Sequence, residues 1–244
     1  MDAVRAVFKR ELRSTFTTSM GYVILVVFLV LSGFFTIKGG FFEMRQADLR
    51  VFFDHLPLLF LFFVPAAGMR LWAEEIKAGT TEFLFTQPVT VPQAVIGKFL
   101  AAWLFLFVAL ALTAPLVFAV FRLGHPDAYV IVTGYLGAFL MGGAYLAVSI
   151  FCSALTRSQI VSFVLSIGMI SLFAYTDSPT VLAWLQGALP PYLIEAMANM
   201  SLSGHFESMR RGVIEFRDLT FYAILIAGLV SITCIVVDAR RESC

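Results

Sequence analysis

Five stretches of this 244-residue chain run for 19 residues or more without one charged side chain: Ser14–Ile37, Phe99–Phe121, Ala128–Thr156, Ser158–Thr176 and Leu219–Val237. About 20 such residues, wound as a helix, cross the roughly 30 Å hydrocarbon core of a bilayer. In that core every backbone N–H and C=O must find a partner within the protein, and a helix supplies those partners itself. A sixth run, Leu56–Met69, is shorter. It reaches spanning length when Phe52 and Phe53 join one end and Arg70 snorkels at the other. The expectation is an all-α integral membrane protein with six spans, near 18–37, 52–72, 98–121, 129–155, 159–176 and 219–238, in one domain over 1–244.

Composition excludes the soluble alternative. The chain is 60% hydrophobic and 14% charged, with a mean hydropathy of +0.90. Soluble domains carry about 45–50% apolar and about 25% charged residues. A net charge of +1 gives no bulk attraction to nucleic acid. Cys152, Cys234 and Cys244 form no C-x-x-C spacing, so neither a disulfide framework nor a zinc site is indicated. The charged N-terminus leads into a run too long for a removable signal peptide, without a clear cleavage site.

An even number of spans puts both termini on one side. That side would hold Arg5, Lys9, Arg10, Arg13, Arg70, Lys77, Lys98, Arg157, Arg240 and Arg241, against Lys38, Arg45, Arg50, Arg122, Arg210, Arg211 and Arg217 on the other. The excess of cations predicts cytoplasmic termini. Val4, Val7, Phe8 and Leu12 recur at helical spacing between Arg5, Lys9, Arg10 and Arg13, which predicts a basic amphipathic helix over Asp2–Phe16 lying on the inner leaflet or simply anchoring it. In the fourth span, Gly134, Gly137, Ala138, Gly142 and Gly143 predict close helix packing.

The region 177–218 reads as an outer-face element. Ser178–Ile194 is uncharged but broken by Pro179, Gly187, Pro190 and Pro191, so a re-entrant or interfacial path is expected between spans 5 and 6. Its second half carries Glu207, Arg210, Arg211, Glu215, Arg217 and Asp218 at a wet boundary. Phe206, Met209 and Val213 are expected to give it an apolar face.

The chain lacks the residues for chemistry of its own. No G-x-x-x-x-G-K-[ST] occurs, since Gly97-Lys98 lacks both the earlier glycine and the following hydroxyl. His55, His125 and His205 lie far apart and read as separate interfacial residues. No local Ser/His/Asp motif appears, and the spans hold almost no ionisable groups. The expectation is a non-enzymatic chain with no catalytic, cofactor or metal residues.

Between the second and third spans stands AEEIKAGTTEFLFTQPVT, beginning at Ala73. The second span can run on past Arg70 through Glu74, Glu75 and Lys77, and Gly79 can end it in the left-handed conformation. Thr80 can then cap a short helix with Glu82 in its first turn, Phe83, Leu84 and Phe85 on an apolar face, and Pro88 as its stop. Such a helix either rests on the bilayer or docks into a cytoplasmic partner.

The pattern R-x-x-A-E-E-x-x-x-G-T-x-E-F-L-x-T-x-P-V-x…G-K resembles the first cytoplasmic loop of type-2 ABC transporter permeases of the exporter type. There the segment is the coupling helix that contacts a separate ATPase, and Glu74, Glu75, Gly79, Thr80, Glu82, Phe83 and Pro88 fall on it here. The stretch LSGHFESMRRGVIEFRDLTFYAIL is similar to the gliding-motility and nitrous-oxide-reductase-maturation branch, a likeness carried by Ser203, His205, Phe206, Gly212, Val213, Asp218 and Tyr222, while His205, Phe206, Arg210 and Arg211 mark the expected outer-face segment. The resemblance implies a permease domain over 1–244 in a bacterial inner membrane. It also implies a second permease subunit, identical or not, with ATP and Mg held by the ATPase. Export of a substrate and transmission of force to a periplasmic or accessory membrane partner both stay open. A scaffold that anchors a cytoplasmic protein through 73–88 is the alternative from a different class.

Overall fold

The computed structural model describes residues 2–39, 48–80, 89–124, 126–174, 176 and 199–242. These residues form ten helices and no strand. They are α1 (Asp2–Thr17), α2 (Ser19–Lys38), α3 (Arg50–Gly68), α4 (Arg70–Ala78), α5 (Val91–Ala111), α6 (Ala114–Leu123), α7 (Ala128–Leu155), α8 (Gln159–Ala174), α9 (Leu202–Arg210) and α10 (Phe216–Glu242). By length and composition five helical stretches can cross a membrane: Ser19–Lys38, Arg50–Ala78, Val91–Leu123, Ala128–Leu155 and Phe216–Arg240. The expected fifth span corresponds to α8, which is apolar but only 16 residues long.

α7 is the central post. Its spanning window is 78% buried, against 28% for α2 and 17% for α10. Its glycines let the neighbours approach, as their spacing predicted. A Cβ at Gly134 would meet the Phe53 ring of α3 at 2.6 Å, and one at Gly137 would meet Met209 of α9 at 2.8 Å. At Gly142 it would collide with Leu106 of α5, and at Gly143 it would meet the Trp103 indole at 2.8 Å. Trp103 in turn stacks on Phe139 at 4.5 Å between centroids and donates its N–H to the Phe139 carbonyl. Phe28, Phe63, Phe105 and Phe16 continue the core as a run of ring contacts from α2 through α3 and α5 to α1.

Three local departures from the sequence reading have physical causes. The third span is not one helix. Pro115 has no N–H for the Ala111 carbonyl, so the backbone tightens to Thr113 N–H→Leu110 O and Leu116 N–H→Thr113 O, and α6 restarts the path. α1 is amphipathic as expected, but it packs on protein: a Cβ at Gly97 of α5 would meet Val7 at 2.9 Å. Val213 does not extend the apolar face of α9. The helix ends at Arg210, Gly212 takes φ +89°, and Val213 is 51% exposed.

α1 and the C-terminal part of α10 meet the same end of the bundle. Arg10 of α1 reaches Glu75 of α4, and Arg240 of α10 donates to the Leu155 carbonyl at the C-terminus of α7.

Candidate functional site

The site begins where α3 hands over to α4. The path breaks only at Met69, so the helical rod continues beyond the apolar run to Ala78. The break is held open by a side chain from α7. Ser153 Oγ donates to the Met69 carbonyl at 2.8 Å and accepts from the Trp72 and Ala73 N–H groups at 3.1 and 3.0 Å. A hydroxyl inserted into the ladder this way bends a helix without orphaning its backbone. Just below, a Cβ at Gly68 would run into Ser149, so the elbow can seat closely on α7 only with glycine there.

α4 ends as its sequence predicts. Gly79 takes φ +69°, its N–H reaches the Ile76 carbonyl, and the Thr80 N–H reaches the Glu75 carbonyl at 3.1 Å. That pair of bonds is a Schellman motif. At the next element, the Thr90 hydroxyl and Gln93 side chain form a reciprocal capping box that starts α5.

Lys98 links these helices, and its side chain is 1% exposed. Its Nζ donates to the Leu71 carbonyl at 2.5 Å, pairs with Glu75 Oε2 at 2.7 Å, and has Glu11 Oε1 at 3.9 Å. It also lies 4.4 Å from the centroid of the buried Trp72 ring, which favours a cation over its face. Arg10 closes the group from α1, reaching Glu11 at 2.7 Å and Glu75 at 3.0 Å. Burial works against the charge of Arg10, but hydrogen bonds and the charges of Glu11 and Glu75 outweigh it and raise its pKa. Four charged groups from α1, α4 and α5 thus tie the N-terminal helix, the elbow and the third span together. A cleft of about 290 Å³ opens beside them, lined by Arg10, Glu11, Ser14, Thr18, Arg70, Leu71, Glu74, Glu75 and Lys98.

The opposite end carries a second polar group. His205 of α9 faces Asp218 of α10 through Nδ1 at 2.6 Å and the Asn199 carbonyl through Nε2 at 3.0 Å. Both ring nitrogens face acceptors, so both bonds form together only in the imidazolium form. Ser208 donates to the other oxygen of Asp218, and Phe221 stacks on His205 at 4.0 Å. This serine contacts the carboxylate rather than the imidazole, so the trio is not arranged as a nucleophile with its base. Tyr222 donates to the Leu202 carbonyl at 2.7 Å. Arg210 pairs with Asp54 of α3 and with Glu207 at 2.5 Å. Burial first, then Arg211 and Arg50, lowers the Arg210 pKa, and these carboxylates hold the charge against it.

Several residues singled out from sequence meet here, and others do not. Glu74 is exposed on α4, whereas Glu75 turns inward to Lys98 instead of facing out. Glu82, Phe83 and Pro88, and the stretch Ser178–Ile194 for which a re-entrant or interfacial path is expected, lie outside the described residues. So does His125, while His55 bonds the Val51 carbonyl and stacks on Phe35. Phe206 is buried against Gly137, and Arg211 is largely exposed and paired with Glu207. Sequence reasoning missed Ser153, Glu11 and the burial of Lys98. One signal was available: a lysine one residue before an uncharged span, after a glycine.

Residues 55–173 match the family model described as CcmB protein, a family of ABC transporter membrane subunits. The matched stretch runs from α3 to α8, so it includes the elbow, Lys98 and Ser153 but neither α1 nor α9 and α10. The similarity supports, at a coarse level, a multi-pass membrane permease of the ABC type. No curated protein matches the sequence.

Proposed function

We propose that this chain is the membrane subunit of an ABC exporter, driven by a separate ATPase that docks on α4 and the segment 81–88 that follows it. The observation that carries this reading is the elbow. α4 leaves the membrane as a continuation of α3, is pinned to α7 by Ser153, and is tied to α1 and α5 by Glu75 and Lys98. A push on its outer end therefore reaches three helices directly. In this reading the chain works as a pair of membrane subunits in a bacterial inner membrane, with both termini cytoplasmic. ATP and Mg are held by the ATPase, and the cap around His205, Phe206, Arg210 and Arg211 faces the periplasm, where an accessory partner can meet it. The likeness of that cap to the gliding-motility and nitrous-oxide-reductase-maturation branch supports this placement.

Glu82→Lys tests the coupling role. Reversing the charge in the first turn of the expected coupling helix opposes its dipole by about 0.3–1 kcal/mol and disturbs a complementary partner surface. Co-purification of the ATPase and transport-linked ATP hydrolysis should both fall while the melting temperature of the membrane part holds. Retained binding with no effect on hydrolysis in wild type or variant would favour the scaffold reading.

A further inference from the structure

The 290 Å³ cleft beside Lys98 holds a pair of charges that the elbow does not use. Lys98, Glu75, Glu11 and Arg10 pair with one another as ions. Arg70 and Glu74 line the same cleft, yet neither side chain makes a hydrogen bond or ion pair with another described residue. They stand at i and i+4 on α4, neighbours on one helix face. Ser14, whose hydroxyl is likewise unpaired among the described residues, and Thr18 complete the wall from α1 and the α1–α2 junction.

Three crossings of the chain place this cleft at a polar–apolar boundary. Arg70 is the first charge after the apolar run of α3, Thr18 stands immediately before the apolar helix α2, and Lys98 is the last charge before the uncharged stretch of α5. A bilayer in contact with these helices has its headgroup layer at that level. The volume equals on the order of ten water molecules.

We infer that the cleft binds the headgroup of a phospholipid bearing both a phosphate and a primary ammonium, as an ethanolamine phospholipid does. Arg70 takes the phosphate with its planar donor fork, assisted by the Ser14 hydroxyl. Glu74 accepts from the ammonium, which two methylene groups separate from the phosphate oxygen. A trimethylated headgroup has the same charge but no N–H to give Glu74, and a glycerol headgroup has no cation. The acyl chains stay in the leaflet bordering α1 and α4. The inference needs a bilayer but no ATPase, so it stands or falls apart from the proposed function.

Native mass spectrometry of the purified full chain decides it, with ethanolamine, choline and glycerol phospholipids supplied at equal mole fraction. Wild type should retain the ethanolamine lipid roughly tenfold over the choline lipid, the ratio expected for one charge-assisted hydrogen bond. Glu74→Gln should bring that ratio close to one. Arg70→Gln should reduce all three adducts, with Arg70→Lys recovering part of the loss. Arg122→Gln, an exposed cation beyond α6's apolar stretch, should leave the pattern unchanged. If Arg70→Gln fails to fold, the Glu74→Gln ratio still decides. Equal retention of ethanolamine and choline lipids by wild type, or a ratio indifferent to Glu74→Gln, would overturn the inference. Displacement of the ethanolamine adduct by millimolar inorganic phosphate would reduce the cleft to a free-phosphate site and overturn the lipid assignment.

Discussion

The two ends of the bundle are each tied by a buried nitrogen-bearing side chain held against a carboxylate, but the ties differ in span. At one end Lys98 and Glu75 bring α5 to α4, while Glu11 and Arg10 add α1 from the far N-terminus. At the other, His205 and Asp218 are thirteen residues apart and join α9 to the start of α10, with the half-buried Ser208 and the exposed Asn199 completing the group. A long-range tie makes distant helices move together, whereas a short-range tie fixes a cap. The open cleft beside the first group, and the partners on both ring nitrogens of His205 in the second, fit that division.

The largest effect should come from Lys98→Met. Removing the cation leaves Glu75 and Glu11 to Arg10, and the Leu71 carbonyl without its donor. Losing one partner of a buried pair costs about 3–5 kcal/mol when nothing replaces it, and with Arg10 in place the loss should sit at the lower end of that range. Equilibrium unfolding in mixed micelles should show it. Glu75→Leu in the same chain should recover part of the loss, because replacing both partners removes the carboxylate that lost its nearer cation. No recovery would mean that Lys98 acts through Leu71 and Trp72 alone.

Asp218→Asn should cost less, about 1.5–3 kcal/mol, since it weakens charge-assisted hydrogen bonds from two neighbours in one local cap. Hydrogen exchange should rise over α9 and the first turn of α10 while α4 stays protected. Exchange spreading to α4 would show that the ends are coupled and break the contrast drawn here.

Ser153→Ala should have the smallest effect on stability, about 1–3 kcal/mol, from the unmet Trp72 and Ala73 N–H groups and Met69 carbonyl. Part of that cost is avoidable if the helix straightens and closes its own ladder. The sharper readout is therefore geometric: spin labels on Lys77 and Arg157 should report a changed or broadened distance. An unchanged distribution would mean that Ser153 fills the elbow without setting it.

Much of the fold was legible because the bilayer is a strict solvent. Uncharged runs of span length have few other uses, and the helices at Ser19–Lys38, Ala128–Leu155 and Phe216–Glu242 follow them closely. The end of α4 at Gly79 was legible for a local reason, the left-handed backbone that glycine adopts at low cost. The break at Thr113 was available in Pro115 but hidden inside an apolar run that looked continuous. Lys98 and Glu75 were both singled out as parts of a motif, but nothing in the motif says that they meet.

The chain by itself determined the helical class, the approximate spans, the amphipathic N-terminal helix and the positions where glycine permits close approach. These follow from length, period and local backbone preference, which are properties of neighbouring residues. Only the tertiary structure decided that α1 packs on Gly97 rather than simply on lipid, that Ser153 enters the elbow, and that Glu75 turns inward to Lys98 while Arg70 and Glu74 are left to the cleft. Each of these depends on which helix faces lie side by side. That arrangement is set by packing between residues far apart in the chain, as with Ser153 and Met69, which are 84 positions apart, and no local pattern encodes it.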